Sequence, residues 1–205
     1  MVSRLFLLVF LCLPLLTSAQ DASQKTAQKA ANNLESAQLG SLADNVYRNP
    51  FFGFSFKVPL GWVDRTETMR EVSEPGKSLV MLGVFQHPPE VTAETTNSAA
   101  VFAAESTSTY PKLKTARDYF GPIEEVTKAK GFEVYNDPYT FTVGTKELLR
   151  ADFSKQAGNA AFFQSTLVMI EKGYIVSLTF LGTDNDEVEG LIEKLSFSGK
   201  RANKK

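Results

Sequence analysis

From Phe52 to Val58 large apolar residues alternate with small or polar ones. That is the period of a strand with one buried face, which Phe52, Phe54, Phe56 and Val58 share. Pro59-Leu60-Gly61 ends the run, and Trp62 follows directly. Residues 78–86 (SLVMLGVFQ) are apolar almost throughout, which predicts an interior strand stopped by His87-Pro88-Pro89. Residues 99–104 are short, and Val101 and Phe102 favour a strand there. The period then changes. Ala116, Tyr119, Phe120, Ile123 and Val126 fall on one face of a helix across residues 114–130. Gly121-Pro122 interrupts this stretch. Pro122 suits the first turn of a new helix, with Glu124 and Glu125 favouring its N-terminus. The pattern predicts a short helix, a kink and a second helix ending at Gly131.

Two hairpins follow. Residues 139–143 and 147–153 flank a turn at Gly144-Thr145, and residues 160–171 and 174–181 flank Lys172-Gly173. In the last strand Tyr174, Val176, Leu178 and Phe180 share one face. Ser177 and Thr179 lie on the other, between Ile175 and Leu181, so both faces call for a covering layer. Asp184 then stands as an N-cap with Glu187 three residues on, the spacing of a capping box. Val188, Leu191, Ile192 and Leu195 continue at i, i+3, i+4 and i+7. Burying those four is worth at most about 6 to 12 kcal/mol. These elements make an α+β fold in which a central, mostly antiparallel sheet is flanked by helices.

The first residues read differently. Arg4 precedes an unbroken apolar run at 5–16, and Thr17-Ser18-Ala19 precede Gln20. This is the layout of a secretory signal peptide cleaved between Ala19 and Gln20. As a helix the run would be about 18 Å long, short of the bilayer's apolar core of about 30 Å. An uncleaved anchor and lipidation of Cys12 are the rival readings. Removing residues 1–19 takes away Arg4 and Cys12, so the mature chain has no cysteine and its core must supply stability without disulfides. No Asn-x-Ser/Thr occurs, and together these absences point to a bacterial envelope, periplasmic or extracellular. Residues 20–45 are rich in Ala, Gln, Ser, Asn and Lys and read as a polar spacer, partly helical or disordered. Aromatic density rises at Val46-Tyr47, which places the domain at 46–198. Residues 199–205 form a basic flexible tail.

The whole chain carries 22 Lys+Arg against 23 Asp+Glu. That balance argues against nucleic-acid binding, which rests on excess basic charge. His87 is the sole histidine, and it reads as a turn residue at a strand end. One histidine supplies neither a zinc ligand set nor a Ser/His/Asp triad. Asp184, Asp186, Glu187 and Glu189 miss the EF-hand spacing, because Val188 belongs to the helix's apolar face. The glycines form no nucleotide-binding loop. No catalytic, metal-binding or cofactor-binding residue is assigned, and no cofactor is expected. The aromatic cluster offers Tyr47, Phe51 and Trp62 as candidates for partner or ligand contact, with Tyr47 and Phe51 expected to be exposed.

Tyr47-Arg48-Asn49, Gly53-Phe54-Ser55-Phe56, Pro59, Gly61 and Trp62 together read Y-x-N-x-x-x-G-F-S-F-x-x-P-x-G-W. This resembles the opening of the PsbP-like family, which is related in fold to a nuclear Ran-binding protein. The resemblance implies an α/β/α sandwich without general enzymatic activity, acting as a binding or assembly module. It does not imply a photosynthetic role, since no docking residue matches by position. Three readings follow. The first is an exported non-enzymatic module whose partner is an envelope protein, with no membrane span after signal cleavage. The second is a carrier of a small lipophilic ligand held between sheet and helices. The third is an enzyme using carboxylates alone.

A chain truncated after Gly182 loses the last apolar stripe, and it is expected to show no cooperative thermal unfolding transition. A melting curve like that of the full chain would contradict this.

Overall fold

Paired residues of positive φ reverse the chain at two hairpins: Asp44 and Asn45 (51° and 55°), and Lys172 and Gly173 (53° and 80°). Two consecutive positive φ values make the tight turn whose twist matches that of antiparallel strands. The computed structural model describes residues 38–72, 78–88 and 97–198. The leader with its Ala19–Gln20 cleavage point, residues 20–37 of the spacer, Pro89 and the basic tail lie outside the described residues.

Four strands, β1 (Ser41–Ala43), β2 (Val46–Asn49), β3 (Phe54–Lys57) and β11 (Leu195–Phe197), form one antiparallel sheet in the order β1-β2-β3-β11. Seven more form the second. They are β4 (Val63–Asp64), β5 (Leu79–Phe85), β6 (Ala99–Ser106), β7 (Glu133–Val143), β8 (Lys146–Ala157), β9 (Ala160–Glu171) and β10 (Tyr174–Gly182), ordered β4-β5-β6-β10-β9-β8-β7. All its pairings are antiparallel. The helices are α1 (Thr66–Val72), α2 (Phe120–Ala129) and α3 (Asn185–Ile192), with a short 3-10 turn at Ala116–Tyr119 leading into α2. The fold is α+β.

Alternation along β10 assigns the two faces of the larger sheet. Val176, Leu178 and Phe180 join the main core with Phe54, Phe56, Phe102 and the α3 residues Val188, Leu191 and Ile192. Ile175 joins a second cluster with Ala151, Phe153, Val168, Tyr119 and Phe120. The smaller sheet and α3 therefore cover one face, while the 3-10 turn and α2 cover part of the other. At the centre of the main core Phe102 meets Phe56 at 5.2 Å, Phe180 at 5.5 Å, Phe54 at 5.9 Å and Tyr47 at 6.1 Å between ring centroids. These are tilted or edge-to-face contacts, the arrangement that ring quadrupoles favour.

Several expectations need correction. There are two sheets, not one. Residues 41–45, read as spacer, are a strand and turn paired with β2. Short segments β4, α1 and β11 went unforeseen, because three-residue strands show no readable period. Leu195 is buried as expected, but in β11 rather than on the helix. β7 begins six residues before Tyr139 and contains Pro138. The strand tolerates it because it lies at the sheet edge and its register shifts between Asn136 and Tyr139. Tyr47, expected at the surface, is 1 % exposed and donates its hydroxyl to the Leu39 carbonyl at 2.7 Å.

The motif that carries the family resemblance is structural. Asn49 is buried; its Nδ2 donates to the Gln38 carbonyl at 2.7 Å and its Oδ1 accepts from Phe52 N at 2.9 Å. Gly53 and Gly61 both have positive φ, which side-chain-bearing residues rarely adopt. The capping motif at Asp184 is half as expected: its carboxylate accepts from Glu187 N at 2.8 Å. Glu187 reaches one residue further back, accepting from Thr183 N and Oγ1 at 2.8 and 2.9 Å.

Replacing Phe102 by alanine empties the point where both sheets meet. It is expected to cost about 3 to 5 kcal/mol in a denaturant titration. A loss below about 1 kcal/mol would contradict the central placement.

Candidate functional site

Among the described residues, the outer face of the larger sheet is only partly covered. On β6 and β10, Ala99, Val101 and Ala103 pair with Leu181, Thr179 and Ser177. Thr179 and Leu181 in turn pair with Thr166 and Gln164 of β9. These side chains are mostly small, so the floor lies low. At one margin Met69 of α1 rests on Gly83. A Cβ at position 83 would lie 2.3 Å from its Sδ, so a larger residue there would push the Met69 side chain aside. At the other margin the 3-10 turn and α2 are anchored by Tyr119 and Phe120. Between the margins runs a groove of about 530 Å³.

Ile123 and Val126 of α2, with Phe132 beyond it, form the apolar wall, and Val101 and Leu181 the apolar part of the floor. Helical spacing predicts Val126 as a core residue, yet it is 57 % exposed while Thr127 beside it is buried. The helix is turned so that Val126 borders the groove. The rest of the floor is polar. Gln164 Nε2 donates to Thr166 Oγ1 at 3.3 Å, and Thr166 and Thr179 share a hydrogen bond of 3.1 Å.

Glu105 also lines the groove, together with Tyr110 and Tyr119. Tyr119 donates its hydroxyl to Glu105 Oε1 at 2.7 Å, and Tyr110 donates to the other oxygen. The two rings meet edge-to-face at 5.4 Å. Burial and the bonded carboxylate push the Tyr110 hydroxyl up to about 12, and the same causes push Tyr119 up as well. Both phenols therefore stay protonated and donating across the physiological range.

A second polar cluster lies on the opposite face, with Arg150, Asp152 and Ser165 buried and Tyr139 and Glu189 at its more exposed edge. Arg150 donates from Nε to Asp152 Oδ1 at 2.8 Å, and from Nη2 to Ser165 Oγ at 2.9 Å and to Glu189 Oε1 at 2.5 Å. Its guanidinium lies 4.8 Å from the Phe141 ring centroid. Tyr139 donates to the second oxygen of Asp152 at 2.9 Å. Burial and this bond push the Tyr139 hydroxyl up to about 12. For Asp152, burial raises the carboxyl's pKa, but the Ser165 and Arg150 hydrogen bonds and the Arg150 charge outweigh it and hold it below the usual carboxylate range. Every polar group here has a partner, so the cluster braces β8, β9 and α3.

None of the sequence candidates lines the groove. Tyr47 is in the core, and Trp62 is partly buried against it. Phe51 borders a separate hollow, with Lys172 Nζ 4.7 Å from its ring centroid. His87 is exposed, and its backbone is held by two 3.0 Å bonds with the Asn97 side chain. The groove residues went unnoticed because no motif joins them. The one available signal was polar Ser177 and Thr179 on an otherwise apolar strand. Among the described residues no three His, Cys, Asp or Glu gather as metal ligands, and no helix is long and apolar enough to cross a membrane.

No family model matches the chain, and no curated protein matches it. Solved structures do. One from Bacteroides thetaiotaomicron is similar over 76% of this chain and 49% of its own, at 14% identity and a TM-score of 0.38. This chain thus spans about half of that protein's length. The Ran-binding protein Mog1p of Saccharomyces cerevisiae is similar over 77% of this chain and 96% of its own, at 12% identity and a TM-score of 0.45. LpqN, involved in cell envelope biogenesis of Mycobacterium tuberculosis, is similar over 71% and 83%, at 13% identity and a TM-score of 0.37.

Because the folded-state pKa of Asp152 is depressed, its contribution to stability is full above the unfolded value of about 4 and is lost as pH falls through the folded value. Asp152→Asn is expected to cost about 3 kcal/mol at neutral pH, since it removes one of the two carboxylates that hold the buried Arg150. Followed from pH 7 to pH 3, the gap between the denaturant midpoints of the two proteins should begin to narrow below about pH 4. A constant gap across that range would contradict the assignment.

Proposed function

We propose that this chain is an exported, non-enzymatic binding module of the cell envelope, and that the groove over β6 and β10 takes a small lipophilic ligand. The groove itself carries this reading. Its volume of about 530 Å³ falls in the range of small-molecule sites, and apolar walls around a few polar groups are their usual lining. Export rests on the leader pattern at residues 1–19. Two observations support a non-enzymatic role. Glu105 is the sole acid among the groove's lining residues, so no carboxylate pair converges there. Asp152 and Glu189, which do approach each other, are both engaged by Arg150.

An envelope protein as partner is the second reading. It is favoured by apolar side chains that face solvent outside the groove, Leu60 at 85 % and Val72 at 81 % exposure.

Native mass spectrometry of protein purified from its own host is expected to show a species heavier than the bare chain. Val101→Trp fills the floor and should abolish that added mass while leaving a cooperative melting transition. A wild-type protein that is repeatedly bare would end the ligand reading.

A further inference from the structure

The groove's electrostatics specify its ligand further, and this step rests on the groove being the binding site. Glu105 is partly buried and forms no ion pair among the described residues. Its two partners, Tyr110 and Tyr119, are neutral donors that take one position on each oxygen. A carboxylate offers about four acceptor positions, so half its capacity is open. Lys130 also lines the groove, but it is exposed at the end of α2, where its ammonium stays hydrated on a flexible stem. A carboxylate held in a largely apolar groove without a counter-ion is costly. A ligand that supplies the missing positive charge recovers that cost. The half-buried ring of Tyr110 beside the carboxylate adds aromatic surface, which attracts cations, above all weakly hydrated ammonium groups.

We propose that the groove binds a lipophilic ammonium compound, its cationic head beside Glu105, Tyr110 and Tyr119 and its apolar body over Val101 and Leu181 along Ile123 and Val126. An anionic amphiphile is excluded by the same charge. A neutral one gains the apolar contacts alone.

Isothermal titration calorimetry with three probes of equal chain length tests this: octyltrimethylammonium, 1-octanol and octanoate, each against the full purified chain. The ammonium probe is expected to bind about tenfold tighter than the alcohol, and octanoate weakest. Glu105→Gln should bring the ammonium probe to the level of the alcohol. In the wild-type protein, added sodium chloride should narrow the gap between ammonium and alcohol, a readout that needs no variant. Equal binding of all three probes, or a preference that survives Glu105→Gln, would overturn the ammonium assignment and leave the lipophilic groove standing. No binding of any probe would overturn both.

Discussion

The contact on which the structure depends is the meeting of Phe56, Phe102 and Phe180. One ring comes from the smaller sheet, the other two from adjacent strands of the larger one. All three are fully buried, with centroids 5.2 to 5.8 Å apart. With no disulfide between them, the two sheets are held together mainly by apolar area and ring geometry. Everything on the outer face, including the groove, is positioned by strands that this cluster fixes from behind.

The larger sheet's two faces solve different problems. The inner one is filled with large rings and the α3 stripe, and its one polar cluster is fully partnered around Arg150. The outer one has most of its large residues under the 3-10 turn and α2. Over β6 and β10 its side chains are mostly alanine, valine, serine and threonine, with Leu181 and Glu105 the larger exceptions. Met69 on Gly83 and Val126 at the lip mark where the covering layer stops. The groove exists because small floor residues and a turned helix leave space that neither fills.

Much of the fold was legible because its elements are long enough to show a period. The Phe52–Val58 alternation, the Lys172-Gly173 hairpin, the double-faced last strand and Asp184 as N-cap stand as the sequence implies, though the reciprocal Glu187 bond does not. The misses have physical causes. β1, β4 and β11 are two or three residues long, too short for periodicity to register. Tyr47 is buried because its hydroxyl finds a backbone carbonyl, a partner no pattern of hydrophobicity reveals. The site was less legible than the fold. Glu105, Val126 and Thr179 are far apart in sequence, and only the pairing of β6 with β10 makes them neighbours.

That pairing also bears on the order of assembly. β7, β8, β9 and β10 follow one another through tight turns, so each can find its partner from nearby in the chain. β6 cannot: Ala100 must meet Phe180 and Phe102 must meet Leu178 across the whole of that meander. Closing so long a loop yields little until the distant contacts form. The same long-range seam is the floor of the groove, so the binding surface is completed only when that seam closes.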